Sequence, residues 1–201
     1  MKPGHCFDDV LLVPQFSEII SRSEIDLTTY LDDRHRLRLP IISSPMDTVT
    51  GADMAQSMTD LGGVGIIHRY NTITDQIEMV NRALESEYPE GNEIVGVAVG
   101  VSGDYLQRAS LAAKVGAKII CVDIAHGHHA LMRHALKTLR NTLGNSVHIM
   151  AGNVATLEAF NDLADWGADS IRVGIGGGSI CSTRIQTGHG MPTLQSIIDC
   201  A

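Results

Sequence analysis

"KVGAKIICVDIAHGHH", Lys114–His129, is the stretch that decides the fold. Helical spacing runs into it from Tyr105 and stops at Gly116, since glycine takes the left-handed conformation of a helix end without a Cβ penalty. "KIICV" is then a short apolar run of the kind found in strands buried on both faces. A polar turn, "DIAHGHH", closes it. The same helix-to-strand turn returns as "DWGADSI", Asp165–Ile171, and the glycine pair of "LGG", Leu61–Gly63, punctuates the chain in the same way. Repetition of that turn means repetition of a βα unit, and so a parallel sheet.

Outward from this stretch, candidate strands fall at Ile41–Ser44, Val64–Ile67, Ile94–Gly100, Lys118–Val122, Val147–Ala151 and Ser170–Gly174. Helical patterns lie between them at about Ala52–Leu61, Ile73–Glu85, Tyr105–Val115, Ala130–Leu143 and Leu157–Trp166, with a last one from about Thr193. The choices are a doubly wound sheet or a barrel. Polar or Gly-rich segments follow nearly every strand: "SSPMDT", "HRYN", "VSGD", "DIAHGHH", "GNVAT" and "GIGGGSICST". A barrel gathers such segments on one face, whereas a doubly wound sheet concentrates them at its switch point. The pattern therefore favours an α/β fold of the (β/α)8 TIM barrel type with only about six βα units. Residues 1–201 are expected to form a single domain, incomplete at the C-terminus, with strands 7 and 8 absent. Six strands would leave apolar sheet edges open. The chain is then a fragment, or another polypeptide supplies the remaining quarter.

A length of 201 residues suffices to bury a real core, and the net charge of -8 with no Lys or Arg run argues against a nucleic-acid partner. No apolar run reaches the length of a membrane span, and "MKPGHCFDD" lacks the apolar segment of a signal peptide. A cytoplasmic protein with a small-molecule partner is expected. Cys6, Cys121, Cys181 and Cys200 are too scattered for a CxxC metal site.

"VGIGGGSICSTRIQTGHG", Val173–Gly190, carries the most chemistry. Its glycines let the backbone approach a ligand, holding a phosphate with N–H groups or a cation with carbonyls; a ligand-free Gly-rich turn has the same composition. Cys181, on this strand-end loop where neither helix nor strand is expected, is a candidate nucleophile, whereas Cys121 reads as an inert core residue. Asp123, at the end of its strand, can accept a hydrogen bond from a ribose hydroxyl or a ligand amide. Asn153 offers an amide donor and acceptor. Ser44 and Met46 suit a flat ring resting on a thioether, or Ser44 and its neighbours simply cap the next helix. His126, His128 and His129 lie on a tight turn without helical ligand spacing and are read as capping or solvent-facing.

Together "FDDVLLVP", "SRSEIDLTT", "LPIISSPMDTVTGADMA", "GGVGIIHR", "VDIAHGH", "IMAGNVAT" and "IRVGIGGGSICSTRIQTG" resemble the IMP dehydrogenase and GMP reductase family of purine nucleotide oxidoreductases over nearly the whole chain. The resemblance implies a catalytic (β/α)8 barrel. By position it makes Cys181 the nucleophile that attacks C2 of the purine and Thr183 the hydroxyl that orients water or the leaving group. Ser179 resembles a 5′-phosphate contact, and Ser44 and Met46 match positions lining the nucleotide site. Asp123 and Asn153 match positions near the nicotinamide riboside and the nucleotide ribose, and Arg172 is a substrate-binding candidate on the strand leading into the loop. Backbone carbonyls of Gly176, Gly178 and Cys181 would bind potassium. The family often has Pro where Gly177 stands.

The implied cofactor is NAD, or alternatively NADP, and the substrate a purine nucleotide, IMP or GMP. A homo-oligomer or a complementing chain is implied as partner. Two directions are open. Only "ESEYPEGNE", Glu85–Glu93, stands where most dehydrogenases insert a regulatory module, which favours the reductase. "SSPMDTVT", "VDIAHGH" and "SICSTRI" read closer to dehydrogenases, and Arg69 stands where reductases typically carry a Lys. The motifs favour the dehydrogenase, converting IMP to XMP, with the reductase as the alternative. An inactive nucleotide-binding or assembly fragment is a further one.

Overall fold

A computed structural model describes residues 4–85 and 93–201. An antiparallel hairpin, β1 (Thr29–Asp32) and β2 (His35–Leu37), precedes the repeating units. These are β3 (Ile42–Ser43), α1 (Ala52–Asp60), β4 (Val64–Ile67), α2 (Ile73–Leu84), β5 (Val95–Val99), α3 (Tyr105–Val115), β6 (Ile119–Asp123), α4 (Ala130–Leu143), β7 (His148–Val154), α5 (Leu157–Asp165) and β8 (Ser170–Val173). Helices α6 (Ser182–Thr187) and α7 (Thr193–Cys200) follow.

β3 to β8 form one 6-stranded sheet in strict chain order, and every pairing is parallel. A doubly wound sheet would reverse its strand order; this one does not, so it winds as a barrel does. It is also curled. Ile42 and Ser43 on one edge and Ser170, Ile171 and Arg172 on the other line a single cavity of about 190 Å³. The fold is thus an incomplete TIM barrel.

Residue alternation along the strands separates two cores. Val97, Val99, Ile120, Val122, Ile149 and Ala151 point outward against α2 to α5, where Val80, Ala109, Met132, Leu136 and Leu139 meet them. Val64, Ile66, Ala98, Ile119, Cys121 and Met150 point inward, and Leu37 of the hairpin joins them. The inward side chains fill the barrel rather than leave a pore. Gly65 sits where α1 lies flush on β4: a Cβ there would come within 2.4 Å of the Ala55 Cα.

The helices end where the glycine turns require, at Gly62 (φ 81°), Gly116 (φ 114°) and Gly167 (φ 107°). α2 begins with a capping box in which the Thr72 hydroxyl accepts from the Asp75 N–H at 3.1 Å. His129 caps α4, its Nδ1 accepting from the Leu131 N–H at 3.0 Å, and His128 stacks on Trp166 and meets Asp162 at 2.8 Å. The three-histidine turn is therefore structural at these two positions, as its spacing suggests.

Two elements depart from the sequence expectation. The hairpin is missed because its turn, Asp32–His35, is charged and only His35 and Leu37 of β2 are buried, which leaves no clear period-2 signal. The loop expected around Cys181 contains α6, a turn and a half that starts once the glycines end and stops at Gly188 (φ 69°). β3 is also shorter than the expected Ile41–Ser44, and β7 runs on past the expected Val147–Ala151, through Asn153 to Val154. "ESEYPEGNE" lies largely outside the described residues. N-terminal to the hairpin, Leu11, Leu12, Phe16 and Ile20 are 90–97% exposed. No helix among the described residues is long and apolar enough to cross a membrane.

Candidate active site

The segments after β3, β6, β7 and β8 converge at the C-terminal end of the sheet, where this architecture collects its chemistry. Asp123 ends β6, and Arg172 stands two strands away on β8. Their side chains meet, with Arg172 Nη1 donating to Asp123 Oδ1 at 2.6 Å and both about one-quarter exposed. The guanidinium also lies 3.7 Å from Cys121 Sγ. Burial pushes the Cys121 thiol up to about 11, an effect the nearby guanidinium only partly offsets. Cys121 is fully buried and inert, as expected.

β7 breaks register between Gly152 and Val154, so Asn153 leaves the ladder. Such a break re-aims a side chain at a strand end. Asn153 Nδ2 donates to the Gly174 carbonyl at 2.9 Å, tying β7 to the loop after β8. Its Oδ1 is buried without any hydrogen-bond partner. A buried acceptor left unpaired is costly, and a ligand hydroxyl would satisfy it. On the same face a cavity of about 600 Å³ is walled by Ala125, Ala155, Ile175 and Met191 and reached by Thr183 and His126. That size and apolar lining suit a planar ligand ring.

Cys181 occupies the N-cap of α6, and Thr183 is the second residue of that helix. The backbone amide of Arg184, without closing a cap bond, lowers the Cys181 thiol from its ordinary value; desolvation opposes it, and Thr183 and Gly176 act in the same direction as Arg184. Amide donors favour the thiolate, which is the reactive form. Gly176 (φ 67°) and Gly177 have a packing reason to be glycine: a Cβ on Gly176 would lie 2.7 Å from the His189 carbonyl, and one on Gly177 1.8 Å from Thr193 Oγ1. The segment from His189 into α7 thus lies directly on the loop. Of the carbonyls that the resemblance gives to potassium, Gly178 O accepts from the Cys181 N–H at 3.1 Å and Cys181 O from the Ile185 N–H at 3.1 Å.

Ser44 lines the same inter-edge cavity as Arg172, and its carbonyl accepts from the buried Thr50 hydroxyl at 2.6 Å. Met46 and Ser179 are exposed, and the Met46 backbone N–H donates to the Ser44 carbonyl at 2.8 Å. The structure therefore pairs Asp123 with Arg172, links Asn153 to the glycine loop and places Thr183 beside Cys181. Sequence reasoning misses Arg184, whose amide acts on the sulfur, and Thr193, whose side chain fixes the loop. The short run "CSTRIQTG" before a glycine was the available signal for both the helix and the amide.

The thiols differ enough for a direct test. Iodoacetamide at near-neutral pH is expected to alkylate Cys181 well before Cys121 or Cys200, since burial raises both of the latter and Asp199 adds to the rise at Cys200. Because the Cys181 pKa is lowered, its rate climbs through a midpoint below that of an ordinary thiol. Peptide mapping across a pH series checks this; a midpoint at or above the ordinary value contradicts it.

Comparison with known proteins assigns the chain. It is 35% identical to an inosine-5′-monophosphate dehydrogenase from Cryptosporidium parvum, over 98% of this chain and 58% of that protein. It is 28% identical to a GMP reductase from Leishmania major, over 98% of the chain and 66% of that protein. A crystal structure of GMP reductase from Trypanosoma brucei in complex with guanosine 5′-triphosphate superposes with a TM-score of 0.91 at 26% identity, covering 100% of this chain and 78% of that one. The chain spans 58–67% of the length of the first curated relatives it matches. The family model described as the IMP dehydrogenase / GMP reductase domain matches residues 4–201, and the chain belongs to that family.

Proposed function

We propose that residues 1–201 are the nucleotide-binding part of one catalytic barrel domain, a purine nucleotide oxidoreductase in which Cys181 adds to C2 of the purine. The observation that carries this is the lowered Cys181 thiol beside Thr183, at the strand-end face where Asn153 presents an unpaired buried acceptor. In the direction we favour, the thiolate attacks C2 of GMP, the 2-amino group leaves as ammonia with Thr183 orienting it, and a thioimidate remains on Cys181. Reduction at C2 then breaks the C–S bond and frees IMP and the thiolate. NADPH supplies the hydride when bound. Asn153 Oδ1 is available to a ribose hydroxyl, the remaining acceptor positions of Asp123 to the cofactor riboside, and Ser44, Met46, Ser179 and Arg172 to the nucleotide. The carbonyls of Gly176, Gly178 and Cys181 would hold potassium. Completion of the barrel between β8 and β3, in a homo-oligomer or by a complementing chain, belongs to the same proposal, as does a cytoplasmic setting, in keeping with four free cysteines.

The reductase direction draws on the likeness over the whole chain to the Trypanosoma brucei GMP reductase. The lack of a regulatory insert no longer separates the activities, because the alignment with the Leishmania major reductase itself runs over 327 residues. The second reading, oxidation of IMP to XMP with NAD, rests on the quoted motifs and on the 35% identity to the Cryptosporidium parvum dehydrogenase. Parallel assays decide. GMP with NADPH is expected to give equal amounts of IMP and ammonia as NADPH is consumed. NADH formation from IMP and NAD, with none of the first reaction, establishes the dehydrogenase instead.

A further inference from the structure

At the opposite, N-terminal end of the sheet, away from Cys181, three ligand-type side chains meet. Asp32 on the hairpin, His35 beside it and His148 at the start of β7 bring one carboxylate oxygen and two imidazole nitrogens within 4.8 Å of one another. Asp32 Oδ1 lies 2.7 Å from His35 Nδ1, and Asp32 Oδ2 lies 2.7 Å from His148 Nδ1. The His148 side chain is fully buried, and its other nitrogen, Nε2, lies 2.7 Å from Ser170 Oγ at the start of β8.

Hydrogen bonding alone crowds this carboxylate. Oδ1 already accepts the backbone N–H groups of Arg34 and His35, each at 2.8 Å, before the His35 ring is counted. Three donors then share one oxygen with two lone pairs. Oδ2 takes His148 and, at 3.4 Å, Arg34 Nη2. A divalent cation resolves the crowding. It leaves the two backbone N–H bonds on Oδ1 and draws Oδ2 and both Nδ1 atoms to itself.

We propose that Asp32, His35 and His148 form a structural site for a divalent cation of the zinc class, with water in the fourth position on the part-exposed side of Asp32. Two imidazoles and one carboxylate are a known ligand set for such an ion. Tetrahedral ligand bonds of about 2.0–2.2 Å hold ligand atoms about 3.3–3.6 Å apart, so the 2.7 Å contact between Oδ2 and His148 Nδ1 must open by roughly 0.6–0.9 Å, through small rotations of the ring and the carboxylate. The protons balance without a further base. His35 and His148 each move the ring proton from Nδ1 to Nε2, and Ser170 Oγ changes from donor to acceptor toward His148, an outer-shell contact that fixes the ring on a metal. The ion would clamp the hairpin, through residues 116 positions apart in sequence, to the base of the barrel. This inference is independent of the Cys181 reading.

The test is a Co²⁺ titration of the tag-free full chain, with Zn²⁺ as competitor, read from the visible d–d bands and paired with thermal melts. One equivalent of Co²⁺ is expected to bind and be displaced by Zn²⁺, and Zn²⁺ at about 100 times its Kd is expected to raise Tm by about 5–10 °C. Asp32→Asn keeps an oxygen for the two backbone N–H groups but removes the anionic ligand. His35→Gln removes one imidazole, whose ring packs edge-on against His148 with centroids 5.8 Å apart. Each should fold, as circular dichroism will report, and lose metal affinity by at least about 100-fold, and Ser170→Ala by about 10–100-fold. No saturable one-to-one binding at micromolar metal, or unchanged affinity in folded Asp32→Asn and His35→Gln, overturns the proposal.

Discussion

Cys181→Ala is expected to abolish turnover while leaving non-covalent nucleotide binding in place. Removal of the nucleophile from an enzyme that works through a covalent intermediate lowers kcat by about a millionfold in the best-studied case. The effect here should be as complete, because neither Cys121 nor Cys200 offers a replacement. Cys121 is buried with its thiol pushed up to about 11, and the Cys200 thiol is also raised. The substitution should not unfold the site. Cys181 makes no side-chain cap bond to α6, and the loop geometry rests on Gly176, Gly177 and Thr193. Calorimetric binding of GMP or IMP, measured beside the rate, checks both halves. Turnover within tenfold of the parent would remove Cys181 from the chemistry, and simultaneous loss of binding would give it a structural role instead.

Gly65→Ala should be the most damaging single methyl in the barrel. The new Cβ would stand 2.4 Å from the Ala55 Cα and 2.8 Å from its Cβ, so α1 must move off β4 as a unit. Backbone cannot rotate away as a side chain can, and overpacking of this kind costs about 1–3 kcal/mol. For a chain of this size that is a drop in Tm of about 3–10 °C. Gly100→Ala is the control, since its Cβ meets nothing closer than the Arg69 guanidinium at 3.5 Å, an ordinary contact. Thermal unfolding of the two variants side by side checks the claim. Equal Tm values would mean that α1 and β4 do not pack flush.

These two cases mark what could be read from the chain and what could not. The βα units were legible because Gly116 and Gly167 end helices ahead of Val- and Ile-rich runs, and that period depends only on neighbouring residues. The barrel winding was legible from polar turns after each strand, and the strict strand order agrees with it. Contact across the fold was not. Nothing near "VGII" says that Gly65 carries the weight of Ala55, nor does "GIGGG" announce Thr193 lying on Gly177. The quoted motifs named Asp123, Arg172 and Asn153 one at a time. The Asp123–Arg172 pair and the unpaired Asn153 Oδ1 appear only when β6, β7 and β8 stand side by side. The hairpin escaped because its burial comes from His35 and from His148, far along the chain, rather than from a local apolar alternation.

The most direct measurement is intact-mass spectrometry of the full chain after incubation with 6-chloro-IMP, an electrophilic purine nucleotide, followed by peptide mapping. The expected result is a single nucleotide-sized adduct on the peptide containing Cys181, absent from Cys181→Ala. No adduct, or one that persists in Cys181→Ala on Cys6, Cys121 or Cys200, would contradict a purine site built around the Cys181 thiol.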